Sequence, residues 1–314
     1  MTRAFLFPGQ GAQTIGMGRD LAMAYPQARA VFDAVDEALG EKLSALIWEG
    51  EQDQLTLTRN AQPALMATSM AVMAAMDAEG VSVSVAAFVA GHSLGEYSAL
   101  AAAGALGLGD AARLLRLRGE AMQAAVPAGQ GAMAAILGLD FDTVAAVAAE
   151  AAENQICAAA NDNDPAQVVI SGHEAAVLRA VEIAKAKGAK RALLLPVSAP
   201  FHCALMGPAA DAMAAALADV DLRAPVVPLV GNVTACAVSD PDDIKARLVE
   251  QVTGRVRWRE SIGWMAQNGV TETWEIGAGK ALSGMVKRIA REVETRSIGT
   301  ADEVRAAAES LRDG

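Results

Sequence analysis

The segment AAFVAGHSLGEYSALAAAGAL (86–106) constrains this chain more than any other. Its apolar run predicts a strand over 86–90, then a sharp turn at Gly91-His92-Ser93-Leu94-Gly95, then a helix. G-x-S-x-G in that context is the nucleophile-elbow pattern. The turn is so tight that the residues two before and two after the serine must lack bulk. The serine is held strained, with its Oγ exposed at a helix N-terminus. There, free backbone N–H groups and the helix dipole favour developing negative charge. RAFLF (3–7) reads as a second short buried strand, closed by the turn PGQG, and helical patterns follow around 17–39 and 61–79. Strand–turn–helix units of this kind predict an α/β fold with a largely parallel sheet, α/β-hydrolase-like in plan.

The stretch 126–197 changes character. GAMAAILGL reads as a strand, DFDTVAAVAAEAAE as a helix, QICAAA as a strand, NDNDP as a turn and QVVIS as another strand. A helix follows, opened by Ser171-Gly172-His173-Glu174, whose S-x-x-E spacing is that of a capping box. The strand RALLLPV closes the unit. The order βαββαβ is that of a ferredoxin-like unit, here inserted into the larger domain. The expected division is therefore 1–125 with 198–314 as the catalytic domain and 126–197 as the insert. At roughly 150 residues per domain, a length of 314 allows for both.

With 37 acidic against 26 basic residues the formal net charge is −11, which argues against a nucleic-acid binder, since such affinity comes largely from neutralising phosphates. The three cysteines, Cys157, Cys203 and Cys236, are far apart with no C-x-x-C, so neither a disulfide framework nor a metal knuckle is expected. No H-E-x-x-H or cysteine–histidine cluster suggests a metal site. The four-residue apolar run before Pro8 is too short for a signal-peptide core. The apolar stretch from Val81 to Leu117 is interrupted by His92, Glu96, Asp110 and Arg113, so it predicts no membrane span. A cytoplasmic, reduced protein is the expectation.

A serine nucleophile needs a base, and the chain has three histidines. His92 is adjacent to Ser93, and neighbouring side chains on such a turn diverge, which suits it to lining the pocket floor. His173 falls in the expected capping box and reads as a solvated surface residue. His202, after Ala199-Pro200-Phe201 at the join between insert and main domain, remains as the base. No acid stands out: Asp110, Glu120, Asp140 and Asp162 lie between Ser93 and His202 without distinguishing context. A carbonyl oxygen can orient the imidazole instead, because the role needs an acceptor at Nδ1 rather than an anion. Arg118, among Leu114, Leu115 and Leu117, is either a snorkelling surface residue or a buried partner for an anion, and the residues alone favour the surface.

Taken together, these blocks resemble the malonyl-CoA:acyl-carrier-protein transacylases of fatty-acid and polyketide synthesis. The resemblance runs nearly end to end: FLFPGQGAQTIGMG, RNAQPAL, VAGHSLGEYSAL, RLRGEAM, GAMAAILGL, AANDNDPAQVVISG, LPVSAPFHCALM, GNVTA, QVTGRVRW and EIGAGKALSGMVKR occur in that order. It implies Ser93 as the nucleophile, His202 as the general base and acid, and the backbone carbonyl of Gln251 as the group orienting His202. It implies the N–H groups of Gln10 and Leu94 as an oxyanion hole. It reverses the surface reading of Arg118, which matches the arginine that grips the free carboxylate of malonate. Gln62, His92 and Met122 match pocket-lining positions. Phe201, just before the histidine, is expected to restrict bulk beside the α-carbon.

The implied reaction is a ping-pong transfer from malonyl-CoA to the phosphopantetheine thiol of acyl carrier protein, with no cofactor, since both thioesters are substrates. Both carriers are anionic, so a chain of charge −11 must gather positive charge locally. Lys185, Lys187, Lys190 and Arg191 form one candidate docking patch, and Arg255, Arg257 and Arg259 another; ordinary solvated charge is the alternative for both. A monomer is the simplest expectation. Two rival functions are an esterase or thioesterase using the same elbow, and a non-catalytic scaffold. FPGQGAQ, Arg118 and the absence of a placed acid count against the first, and intact Ser93, His202 and Arg118 against the second.

Overall fold

The computed structural model describes residues 1–127, 129–197 and 199–312. Its strands are β1 (Arg3–Phe7), β2 (Ala86–Gly91), β3 (Gly131–Leu137), β4 (Cys157–Asp164), β5 (Gln167–His173), β6 (Arg191–Leu194), β7 (Leu229–Val230), β8 (Ala237–Val238), β9 (Glu272–Ile276) and β10 (Glu294–Ile298). Among the described residues they form two sheets, one ordered β10-β9-β1-β2-β7-β8 and the other β4-β5-β3-β6. The first is parallel from β10 to β7, with β8 antiparallel at its edge. The second is antiparallel throughout. The fold is thus mixed α/β.

The near-continuous apolar run of β1 suits a strand covered on both faces, and residues 4–7 are fully buried. One face of the parallel sheet is covered by the helices Pro26–Leu39, Thr58–Ala78 and Leu108–Ala124. The other packs on Trp258–Gln267 and Ala281–Ile289. Among the described residues, no helix is long and apolar enough to cross a membrane.

Outside its own sheet, β4 pairs with the segment just before the helix Trp258–Gln267. Asp162 N–H donates to the Val256 carbonyl at 2.9 Å, and Val256 N–H donates to the Ala160 carbonyl at 2.8 Å. Because side chains alternate along a strand, Asn161 and Asn163 face one way and Asp162 and Asp164 the other. Asp162, fully buried, accepts a two-pronged hydrogen bond from Arg259 at 2.8 and 2.9 Å. Asp164 accepts one from Arg288 at 2.7 Å.

Four local expectations need correction. The run NDND is strand rather than turn. Its residues have the composition of a turn, but the Val256 bridge and the two arginines keep it extended, and the reversal falls at Pro165-Ala166. The capping box does not form, since Ser171 lies in β5, paired with Met133 of β3 and Ala158 of β4, and the helix Glu174–Ala186 begins after His173. The helix expected over 17–39 is two helices. Pro26 disfavours helical geometry in the residue before it, and Tyr25 is extended at φ −127°, ψ 113°. β6 ends at Leu194, before Pro196, which has no N–H to give a ladder. Ser198, the first residue of the second catalytic segment expected from sequence, and Asp313 and Gly314 at its end lie outside the described residues.

Candidate active site

Ser93 sits between β2 and the helix Gly95–Ala102, with φ +55°. The flanking glycines make this turn possible. A β-carbon on Gly91 would lie 1.9 Å from the Gly95 carbonyl carbon, and one on Gly95 would lie 2.3 Å from the Phe7 carbonyl oxygen. No other side chain fits either place without moving backbone. His202 also has a left-handed backbone, φ +58°, in the loop that returns from the antiparallel sheet. Such conformations in non-glycine residues persist only where surrounding contacts enforce them.

The two meet: His202 Nε2 lies 2.8 Å from Ser93 Oγ. His202 Nδ1 lies 2.9 Å from the Gln251 carbonyl and 3.2 Å from that of Gly254. A carbonyl only accepts, so Nδ1 carries the proton and Nε2 offers its lone pair to the serine hydroxyl. Burial, reinforced by the charge of Arg118, pushes the His202 pKa down to about 3, so the imidazole is neutral at physiological pH. None of Asp110, Glu120, Asp140 and Asp162 serves it. Asp110 and Glu120 pair with Arg113 and Arg59, Asp140 caps the helix Phe141–Ala152, and Asp162 holds Arg259.

Arg118, on the helix Leu108–Ala124, is 1% exposed, which settles its place against the surface reading. It is brought in by close helix packing. A β-carbon on the next residue, Gly119, would lie 2.6 Å from the Arg59 Cα, so only a glycine lets the helix Thr58–Ala78 come this near. The approach places Gln62 Oε1 2.7 Å from Arg118 Nη1. Arg118 Nη2 donates to Gln251 Oε1 at 2.8 Å and to Ser93 Oγ at 3.2 Å. Its Nε is buried without a hydrogen-bond partner. Burial lowers the guanidinium pKa from its ordinary value.

These side chains border one cavity of 580 Å³, which also takes in Gln10, Leu94, Met122 and Phe201. Gln62 Nε2 contacts Met122 Sδ at 3.7 Å. His92 lines the cavity, with Nε2 2.9 Å from Asn163 Oδ1 and its ring edge-on to Trp258. Burial lowers its pKa, which keeps it neutral. The backbone N–H groups of Gln10 and Leu94 donate to no acceptor among the described residues, leaving both free. Gln251 stands behind the cavity, fully buried, rather than in its wall. Among the described residues, no group of three or more His, Cys, Asp or Glu side chains is arranged to hold a metal.

The sequence reading did not single out Glu96, Asn163 or Asn232: Asn163 bonds to His92, Asn232 to the Ser93 N–H, and the Glu96 N–H to the Ser93 carbonyl. For Glu96 a signal existed: a carboxylate three residues past the elbow serine, in an otherwise apolar helix. The basic patches expected to dock a carrier are mostly spent internally. Lys185 pairs with Glu182 and Lys187 with Glu150, while Arg255 and Arg257 pair with Glu260, and Arg259 with Asp162. Lys190 and Arg191 are exposed and carry no ion pair among the described residues.

Known proteins resemble this chain over nearly its whole length. The acyl transferase domain family model matches residues 4–253. The malonyl CoA-acyl carrier protein transacylase of Bacillus subtilis is 48% identical over 311 residues, covering 99% of this chain and 97% of the relative. The solved acyl-carrier-protein-S-malonyltransferase of Bartonella henselae superposes with a TM-score of 0.97 at 56% identity, covering 99% of this chain and all of that one. A malonyl-transacylase solved in complex with a type II PKS acyl-carrier protein superposes with a TM-score of 0.96 at 41% identity, covering 99% of this chain and 100% of that one. The chain belongs to the acyl transferase domain family, among the malonyl CoA-acyl carrier protein transacylases.

Proposed function

We propose that this protein transfers a malonyl group from malonyl-CoA to the phosphopantetheine thiol of acyl carrier protein, through a malonyl ester on Ser93. His202 Nε2 takes the Ser93 proton as Oγ attacks the thioester carbonyl. The N–H groups of Gln10 and Leu94 receive the oxyanion. Collapse breaks the C–S bond, and His202 returns the proton to the departing CoA sulfur. In the second half the carrier thiol gives its proton to His202 and attacks the ester, and Ser93 recovers the proton as it leaves. No cofactor enters, since both thioesters are substrates.

The observation that carries this reading is the buried Arg118 beside Ser93 Oγ, with its Nε unpartnered. Nε–H is open, and once Nη2 gives up its long 3.2 Å bond to Ser93 Oγ the two make a fork matched to a carboxylate. An unpaired carboxylate would cost several kcal/mol to bury, so the fork selects an acyl group that ends in one. Phe201 limits bulk beside the α-carbon of that group, and methylmalonyl-CoA acylating as fast as malonyl-CoA would overturn this role. Gln62, His92 and Met122 shape the acyl pocket, and the Gln251 carbonyl orients His202. The client is fatty-acid or polyketide synthesis. The exposed Lys190 and Arg191 are what remains of the expected docking patches.

In the finer reading of the fold, 1–125 with 198–314 form an α/β-hydrolase-like catalytic domain and 126–197 a ferredoxin-like insert, supported by the order β4-β5-β3-β6. The protein acts as a cytoplasmic monomer. Intact-protein mass after brief exposure to malonyl-CoA tests the reading. One malonyl group is expected on the wild type and none on Ser93→Ala. An adduct from acetyl-CoA but not from malonyl-CoA would discard Arg118 as the selector.

A further inference from the structure

Glu96 lies in the first turn of the helix Gly95–Ala102 and is 2% exposed. A carboxylate taken from water needs compensating donors. Its Oε1 accepts the Asn232 backbone N–H at 2.6 Å, and its Oε2 accepts from Gln251 Nε2. Each of these two residues also holds one end of Ser93. Asn232 Oδ1 accepts the Ser93 N–H at 2.8 Å, and Gln251 Nε2 donates to the Ser93 carbonyl at 2.8 Å. Gln251 Oε1 faces outward to Arg118. Partners that can act in one sense alone fix both amides: Ser93 N–H and Arg118 only donate, and the Ser93 and Gly91 carbonyls only accept.

We infer that Glu96 is a positioning residue of this site, whose ionised carboxylate, with the Ser93 carbonyl, anchors the Gln251 amide and through it compensates and aims Arg118. The inference rests on the malonyl-transfer reading above. Arg118, Gln251 and Glu96 form an ion pair with an amide between its members. The spacing matters chemically. A carboxylate in direct contact would occupy the guanidinium fork and compete with the substrate. Set one amide away, Glu96 supplies the opposite charge that a buried arginine needs while the Nε–H stays free. Burial raises the pKa of Glu96 to about 7, the cost of placing a carboxylate here, while the N–H donors on both of its oxygens are the partners of the ionised form.

The isosteric Glu96→Gln tests this. The Asn232 backbone N–H cannot invert, so the new NH2 group must face Gln251 Nε2, donor on donor. That clash pushes Gln251 out of the place from which its Oε1 meets Arg118, and the charge that compensates the arginine is gone. Acylation by malonyl-CoA and acetyl-CoA is followed by intact mass in single turnovers, with circular dichroism melts confirming the fold. In Glu96→Gln the malonyl rate is expected to fall roughly 10- to 100-fold, the worth of one charge-assisted hydrogen bond, with a smaller fall for acetyl. The malonyl-to-acetyl ratio therefore collapses. Glu96→Asp keeps the charge and should keep the ratio even where the rate drops. An unchanged ratio in Glu96→Gln, or an equal collapse in Glu96→Asp, would overturn the inference. A wild type that takes no malonyl group would instead remove the reading beneath it.

Discussion

Behind the antiparallel sheet, Ile136, Val147, Val168, Ile170, Val177 and Val181 pack between the strands and the helices Phe141–Ala152 and Glu174–Ala186. Beneath Ser93, Glu96, Arg118, His202, Asn232 and Gln251 are just as buried, at 0 to 4% exposure. The first cluster is held by area: dispersion and water exclusion have no direction, and a side chain of similar volume serves nearly as well. The second is held by direction, because each donor must meet an acceptor and a wrong partner leaves a buried group unpaired. Apolar burial stabilises the fold and leaves the chemistry alone. The polar cluster stores charge and strain where the chemistry occurs, and its stability comes from elsewhere in the molecule.

Separating variants would sharpen that contrast. His202→Ala should slow acylation by malonyl-CoA by roughly 10²- to 10⁴-fold, the usual worth of a general base, without lowering the melting temperature. A parallel loss of stability would blur the two regions into one. Ile170→Ala, in the apolar cluster, should cost about 2–5 kcal/mol in urea unfolding. Its folded fraction should still acylate at the wild-type rate in a single turnover. Arg118→Lys keeps the charge but loses the fork, so kcat/KM for malonyl-CoA should fall about 10- to 100-fold, read in steady-state assays. A near-normal value would mean that a point charge is enough.

A further separation lies in the pH dependence of stability. The folded pKa of His202, about 3, lies below its ordinary value of 6.5, so the native state resists protonation. This contribution is fully present above pH 6.5 and is lost progressively as pH falls toward 3. Chemical unfolding of wild type and His202→Asn should therefore diverge in slope across that window. Parallel curves would show that the imidazole is less desolvated than its surroundings imply.

How much of this was legible in sequence depended on how local the cause was. The elbow is set by five consecutive residues, and the βαββαβ order by patterns within single elements, so both could be read directly. Two misreadings had distant causes. Asn161 to Asp164 has the composition of a turn, and the arginines that hold it extended lie 97 and 124 residues away. The arginines after Gln251 look like a free basic stripe until Glu260 and Asp162 are placed against them. Arg118 reads as a surface residue because helical periodicity cannot show how closely a second helix approaches. Glu96 was overlooked although it adjoins the elbow, since its meaning lies in partners 136 and 155 positions further on.

The two glycines of the elbow have a consequence for how such a protein can change over generations. The contacts that exclude a β-carbon at Gly91 and Gly95 are with main-chain atoms, of Gly95 and Glu96 in one case and of Phe7 and Pro8 in the other. Where a side chain stands in the way, a second mutation can trim it and open a route to a new residue. Main chain cannot be trimmed, so these positions have no neighbouring viable sequence and no compensating partner. The cavity wall faces no such barrier, since Met122 and Phe201 are bounded there by open space. Novelty in this lineage is thus confined to what the serine receives, while the turn that presents it stays fixed.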